Sequence, residues 1–184
     1  MKVFATGGCA SASEGTAFYV RPTIAVTNAH VVAGHRHVTA DGAPATVVAY
    51  DPSDDLALLR VARVGAPLAL SGVTPARGRR LDVVGFPLDA ARTLTPAYME
   101  GPTTALSRDI YGGHLEVRTF FVLEARVEPG NSGSPVLAGG QAVAVVESMS
   151  ASQPATGYAI PVSVVAPLLA HVGARSVPTG ACVN

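Results

Sequence analysis

Residues Glu128-Pro129-Gly130-Asn131-Ser132-Gly133-Ser134-Pro135 set one serine between two glycines, and an apolar run over 135–138 begins immediately afterwards. A serine hydroxyl is a poor nucleophile. An enzyme that uses one must present the oxygen on a tight turn and aim backbone N–H groups at the point where negative charge develops on a carbonyl oxygen. Gly130 suits such a turn, because without a Cβ its backbone can pass close to a bound substrate. On this reading Ser132 is the nucleophile, and the amides of Gly130 and Ser132 form the oxyanion hole. The same octapeptide is also the composition of an ordinary surface turn. Other segments must decide.

Two of them do. Residues 23–34 run Thr-Ile-Ala-Val-Thr-Asn-Ala-His-Val-Val-Ala-Gly, a β-branched stretch with His30 just past its end. Residues 51–61 run Asp-Pro-Ser-Asp-Asp-Leu-Ala-Leu-Leu-Arg-Val, with acidic residues at the mouth of another apolar stretch. A serine nucleophile needs a base to take its proton. That base needs a carboxylate to hold its tautomer and stabilise the imidazolium. His30 supplies the first, and Asp51, Asp54 or Asp55 the second.

Three segments, Thr-Asn-Ala-His-Val-Val, Asp-Leu-Ala-Leu-Leu and Gly-Asn-Ser-Gly-Ser-Pro, resemble the trypsin-fold (chymotrypsin-like) serine proteases of bacterial type over nearly the whole chain. Further stretches resemble one branch of that family, the actinobacterial membrane-anchored acid-resistance proteases. They are Glu14-Gly15-Thr16-Ala17-Phe18, Tyr50-Asp51-Pro52-Ser53 and Thr179-Gly180-Ala181-Cys182. The resemblance implies an all-β fold of two barrels with the active site between them. It places the triad aspartate at Asp55, directly before Leu-Ala-Leu-Leu. It also implies a periplasmic protease domain acting on envelope proteins in acid or oxidative stress, with a helical membrane anchor outside this sequence. The substrate pocket would be walled near Arg126–Glu128, Val146–Ser148 and Gly157–Tyr158, so Arg126, Val146, Glu147, Ser148, Gly157 and Tyr158 are its candidate residues.

Two departures matter. Asn131 stands where digestive proteases carry an aspartate that pairs with a newly cut N-terminus, and a neutral amide cannot form that ion pair. The segment Ala144–Ser148 lacks the pocket histidine of glutamyl endopeptidases, which share the Gly-Asn-Ser-Gly-Ser-Pro motif, so strict glutamate specificity is not expected. A catalytically inactive member of the fold, used as a peptide-binding scaffold, would show a missing triad residue; none is missing. The Ser-Asp-His order of α/β-hydrolases is absent as well.

The elements that must position these groups are short strands. Residues 15–21 and 23–28 alternate as two of them, 36–40 and 43–50 form a hairpin about Asp41-Gly42, and 55–61 close a first barrel spanning about 15–62. Gly65, Pro67, Gly72, Pro75 and Gly78 mark a linker over 63–80. Strands resume at 81–87, 114–125, 134–137, 142–146 and 158–160, giving a second barrel over 81–160. Residues 88–113 read as strands around long loops. Pro161, followed by Val164, Val165, Leu168, Leu169 and Val172 at helical spacing, predicts a C-terminal helix over 161–173, packed on the second barrel.

Composition excludes several classes. The 184 residues carry 13 basic and 13 acidic groups, and only 14% are charged, so no basic face for nucleic acid is expected. No run approaches the ~20 apolar residues of a membrane span, and the first residues are too short for a signal peptide's apolar region. The two cysteines, Cys9 and Cys182, both lie outside apolar runs. The resembling family bridges these terminal segments, which implies a disulfide and an extracytoplasmic compartment. His35 and His37, two apart in an expected strand, would share a solvent face; with His30 they lack a further ligand at zinc spacing. No metal or cofactor is expected, and the partners are peptide or protein substrates of a monomer.

Overall fold

The computed structural model of the chain describes residues 1–183. Seven strands build the first layer: β1 Lys2–Thr6, β2 Ser13–Thr16, β3 Phe18–Arg21, β4 Ile24–Thr27, β5 His37–Ala40, β6 Ala43–Asp51 and β7 Leu56–Val61. They pair antiparallel in the order β2-β1-β5-β6-β7-β4-β3, a barrel-like sheet whose end strands are sequence neighbours. One short helix, α1 Ala29–Val32, interrupts the run and carries His30. Six further strands close the second barrel: β8 Arg80–Gly85, β9 Thr93–Arg108, β10 Leu115–Glu124, β11 Pro135–Ala138, β12 Gln141–Met149 and β13 Thr156–Pro161. Between Val61 and Arg80 the chain crosses with a single parallel bridge, Leu70 to Ala142.

The turn chemistry explains the registers. Asp41 (φ 48°) and Gly42 (φ 74°) are both left-handed, as are Gly139 (φ 58°) and Gly140 (φ 82°). Two consecutive positive φ values match the twist of a two-residue hairpin, and both tips join antiparallel neighbours, β5 to β6 and β11 to β12.

Three apolar clusters hold the molecule. One fills the first sheet around Val3, Val31, Val32 and Leu59; another fills the second barrel around Leu81, Met99, Leu123 and Val143. The cluster between them joins Phe18, Ile24, Val26 and Leu58 of the first sheet to Val145 and Ile160 of the second. Each fully buried side chain of this size contributes roughly 2 kcal/mol, so docking the two layers is strongly favoured.

Several expectations change. The first sheet begins at β1, ahead of residue 15, because Val3 and Ala5 alternate into its core. Residues 88–113 hold a 3-10 turn, Pro87–Asp89, and then one 16-residue strand, β9. Its prolines fit because they sit at tolerated positions: Pro102 lies beside Gly101, at a register shift against β10. The C-terminal helix α2 is only Val165–Ala170, after a 3-10 turn at Val162–Val164. It does not rest mainly on the second barrel. Val165 and Leu168 enter the cluster between the layers, and the chain beyond is tied to the first sheet, with Gly173 N–H and Val177 N–H donating to Val48 O and Val47 O. His35 precedes β5 and only His37 lies in it, so the two do not share a strand face.

Cys9 and Cys182 are disulfide-bonded with Cα atoms 5.7 Å apart. The bridge lies beside the end of α1, where Gly34 N–H donates to Thr179 O at 3.2 Å. Closing a loop of this length removes unfolded-state freedom equivalent to about 5 kcal/mol on the chain-entropy model. Reduction, or Cys182→Ser, is expected to lower the unfolding free energy by a large part of that amount, read from denaturant melts with and without reductant. An unchanged midpoint would show that the bridge adds nothing to stability.

Candidate active site

His30, Asp55 and Ser132 come together where the two layers meet. α1 starts at Asn28, whose side-chain amide donates to Asp55 O at 2.9 Å and so pins the acidic turn to the helix start. Asp55 itself sits at φ 53°, a conformation that aspartate tolerates better than most residues. Its carboxylate is 3% exposed and takes two bonds from one residue: the His30 main-chain N–H at 2.9 Å and His30 Nδ1 at 2.7 Å. That double grip fixes the ring and leaves Nε2 as the basic nitrogen. Asp51 instead accepts the N–H groups of Ser53 and Asp54, closing the turn after Asp51-Pro52. Asp54 makes no hydrogen bond to His30 among the described residues and instead stands 3.7 Å from Arg118 Nε through its Oδ1.

Burial opposes charge on His30 and is the largest single influence. The Asp55 charge and hydrogen bond, helped by the Glu147 charge, outweigh it and hold the imidazole pKa above its ordinary value. Glu147 is pushed up to about 7, first by burial and then by the negative charge of Asp55, against the pull of Arg118.

The nucleophile loop is shaped by its carbonyls. Pro129 O accepts Leu88 N–H at 2.7 Å, Gly130 O accepts the Thr16 hydroxyl at 2.8 Å, Asn131 O accepts Ser134 N–H at 2.9 Å, and Ser132 O accepts Thr16 N–H at 2.7 Å. A trans peptide turns its N–H opposite to its carbonyl. Anchoring the carbonyls of 129 and 131 therefore turns the Gly130 and Ser132 N–H groups the other way, and among the described residues neither has an acceptor. Unspent backbone donors beside the nucleophile are what a developing oxyanion requires. Gly130 (φ 92°) is required here, since a Cβ would also run into the Phe86 carbonyl oxygen.

The Ser132 hydroxyl donates to Glu147 O at 3.2 Å and not to His30. Serine hydroxyls step between staggered positions, and catalytic hydrogen bonds often close only on a bound substrate. The resting hydroxyl is thus held by the Glu147 carbonyl.

A cleft of about 730 Å³ opens over the three residues. Of the expected wall, Val127, Glu128, Glu147, Ser148 and Tyr158 line it. Three expected pocket residues do not. Arg126 is 80% exposed, pairs with Glu128 at 2.9 Å, and borders a separate depression near Leu88 and Pro154. Val146 is fully buried in the barrel core, and Gly157 packs under Val127. Unforeseen is the wall from the β9–β10 hairpin, including Leu106 and Phe120, with Met149 beyond Ser148. Phe120 meets Tyr158 edge-on, ring centres 6.4 Å apart. The alternation of 114–125 pointed to a strand, but its pairing with β9 carried no local signal. Among the described residues no group of three or more His, Cys, Asp or Glu could hold a metal ion.

A family profile described as a trypsin-like peptidase domain matches residues 15–145. The chain is 39% identical to the serine protease Rv3671c of Mycobacterium tuberculosis over 184 residues, covering 96% of this chain and 46% of that protein. It therefore spans about half the length of that curated relative. A crystal structure of the active form of the same M. tuberculosis protease superposes with a TM-score of 0.95 at 36% identity, covering 100% of this chain and 85% of the other. The crystal structure of its inactive form gives 0.80 at 35% identity, with coverages of 94% and 89%.

Proposed function

The chain belongs to the trypsin-like peptidase family, and from that premise we propose that it is a serine endopeptidase in which Ser132 attacks, His30 is the general base and Asp55 orients and steadies the imidazole. The observation that carries this reading is the arrangement around Ser132. One hydroxyl lies on a loop with two unspent amides, in the same cleft as a histidine gripped twice by a buried carboxylate. Attack of Ser132 Oγ on a peptide carbonyl moves its proton to His30 Nε2 and places negative charge between the Gly130 and Ser132 amides. Collapse returns the proton to the leaving amine and leaves an acyl-enzyme, which water then opens by the same steps in reverse order.

The substrates we propose are proteins of the cell envelope, bound as extended peptides along the cleft. Its walls, Leu106, Phe120, Val127, Met149 and Tyr158, favour apolar side chains. A disulfide between Cys9 and Cys182 is at home in an oxidising compartment, which supports a periplasmic setting. Similarity to the mycobacterial protease, together with the motifs shared with acid-resistance proteases, supports a role in acid and oxidative stress. Among the described residues no helix is long and apolar enough to cross a membrane.

The test is labelling by a fluorophosphonate probe, which phosphonylates only a serine activated by its surroundings. Wild-type protein is expected to label at Ser132, and His30→Ala to label far more slowly. A folded wild-type protein that does not label would set the reading aside in favour of a peptide-binding scaffold.

A further inference from the structure

Beside the triad lies a buried ion pair that the reaction above does not use. Arg118, in the middle of β10, is 5% exposed at its side chain. Its Nη1 meets Glu147 Oε1 at 2.8 Å, its Nη2 donates to Asp54 O at 2.8 Å, and its Nε stands 3.7 Å from Asp54 Oδ1. The guanidinium lies over the Phe120 ring, 4.7 Å from its centre. Every direction is thus spoken for. One contact reaches the residue next to Asp55, on the first sheet, and another reaches the residue whose carbonyl holds the Ser132 hydroxyl, on the second barrel.

We propose that Arg118 and Glu147 are positioning residues of the triad, a charged clamp that sets the Asp54–Asp55 turn of one barrel against the Ser132 loop of the other. This rests on the protease reading above. The planar guanidinium fixes two partners at set angles, which a lysine or an apolar residue could not do. Glu147 has a second effect through space. Above the pH near 7 at which it ionises it is an anion near His30, and the groups facing it are Arg118 from β10, Asp55 from the turn before β7, and His30 from α1. Its charge reinforces Asp55 in favouring the imidazolium that forms during attack.

The experiment compares wild type, Glu147→Gln and the Arg118→Met/Glu147→Met double variant. The double variant removes both charges together, so no ion is left buried without a partner, and it should keep most of its stability. Its kcat is expected to fall roughly ten- to a hundredfold with KM little changed, as misplacement of a catalytic group does. Glu147→Gln keeps the shape and removes the charge. The His30 imidazole, followed by NMR and assigned with a His30→Gln variant, should then titrate at a lower pH than in the wild type. Wild-type kcat in the folded double variant would overturn the clamp. If that variant does not fold, an unmoved His30 titration in Glu147→Gln would overturn it instead. The titration needs no turnover, so it stands apart from fluorophosphonate labelling, whose failure would strike the protease reading itself.

Discussion

Ser132→Ala is expected to lower kcat on any peptide this chain cleaves by about a millionfold, and His30→Ala by a comparable factor. The two losses should not multiply. Without the hydroxyl the base has no proton to take, and without the base the hydroxyl is no better than water. The double variant should therefore be about as slow as either single one. What survives is the contribution of the Gly130 and Ser132 amides and of substrate binding, roughly a thousandfold or more over solution. Single-turnover assays on a fluorogenic peptide, with thermal melts to show intact folding, decide the matter. Multiplying losses would mean that the two side chains act separately and that the triad reading is wrong.

Asp55→Asn carries the second large effect, about ten-thousandfold in kcat. The asparagine amide would present a donor to His30 Nδ1 and favour the tautomer with its proton on Nε2, where it cannot serve as a base. The pH dependence gives a separate signature. In the wild type the Asp55 charge and hydrogen bond hold the His30 pKa above its ordinary value. A protonated imidazole cannot accept the serine proton, so kcat/KM should be full at alkaline pH and fall as pH drops through that raised pKa, above about 6.5. In Asp55→Asn the residual activity should keep falling only at lower pH. The same substitution at Asp54 removes neither His30 contact, since Asp54 meets Arg118 through its main-chain carbonyl and only distantly through its carboxylate. A loss in Asp54→Asn as deep as that in Asp55→Asn would contradict the geometry.

Much of the architecture was legible in local patterns. The Asp41-Gly42 and Gly139-Gly140 hairpins follow from residues that accept left-handed backbone, and the alternation of 43–50 and 55–61 follows from one buried face. What escaped the sequence is what depends on distant partners. β1 is short and lies ahead of the first expected strand, and only its register with β2 and β5 buries Val3 and Ala5. Pro96 and Pro102 break the strand signal of residues 93–108, although the strand survives because its partners β8 and β10 supply the ladder. The site divides in the same way. His30, Asp55 and Ser132 announce themselves because each sits in a motif of its own. Glu147 is expected from the sequence only as a pocket-wall residue, and it does line the cleft. Its meaning comes from Arg118, which lies 29 positions earlier on a strand not adjacent to its own. Arg126 shows the converse: charged and well placed along the chain, it points to solvent and pairs with Glu128.

The anchoring of the nucleophile loop has a consequence for how the molecule comes into being. Thr16, from the first sheet, holds both Gly130 O and Ser132 O, while Arg118 from the second barrel holds Asp54 O. Each half therefore finishes the other's working parts, and neither carries a complete set alone. These are contacts of very large sequence separation, the kind whose loop-closure cost delays them on a folding route. The Pro129 and Asn131 carbonyls that turn the two amides are held within the second half itself, by Leu88 and Ser134, whereas the Gly130 and Ser132 carbonyls wait for Thr16 of the first. His30 and Asp55 stand on one half and Ser132 on the other, so the cutting edge exists only where the two halves meet.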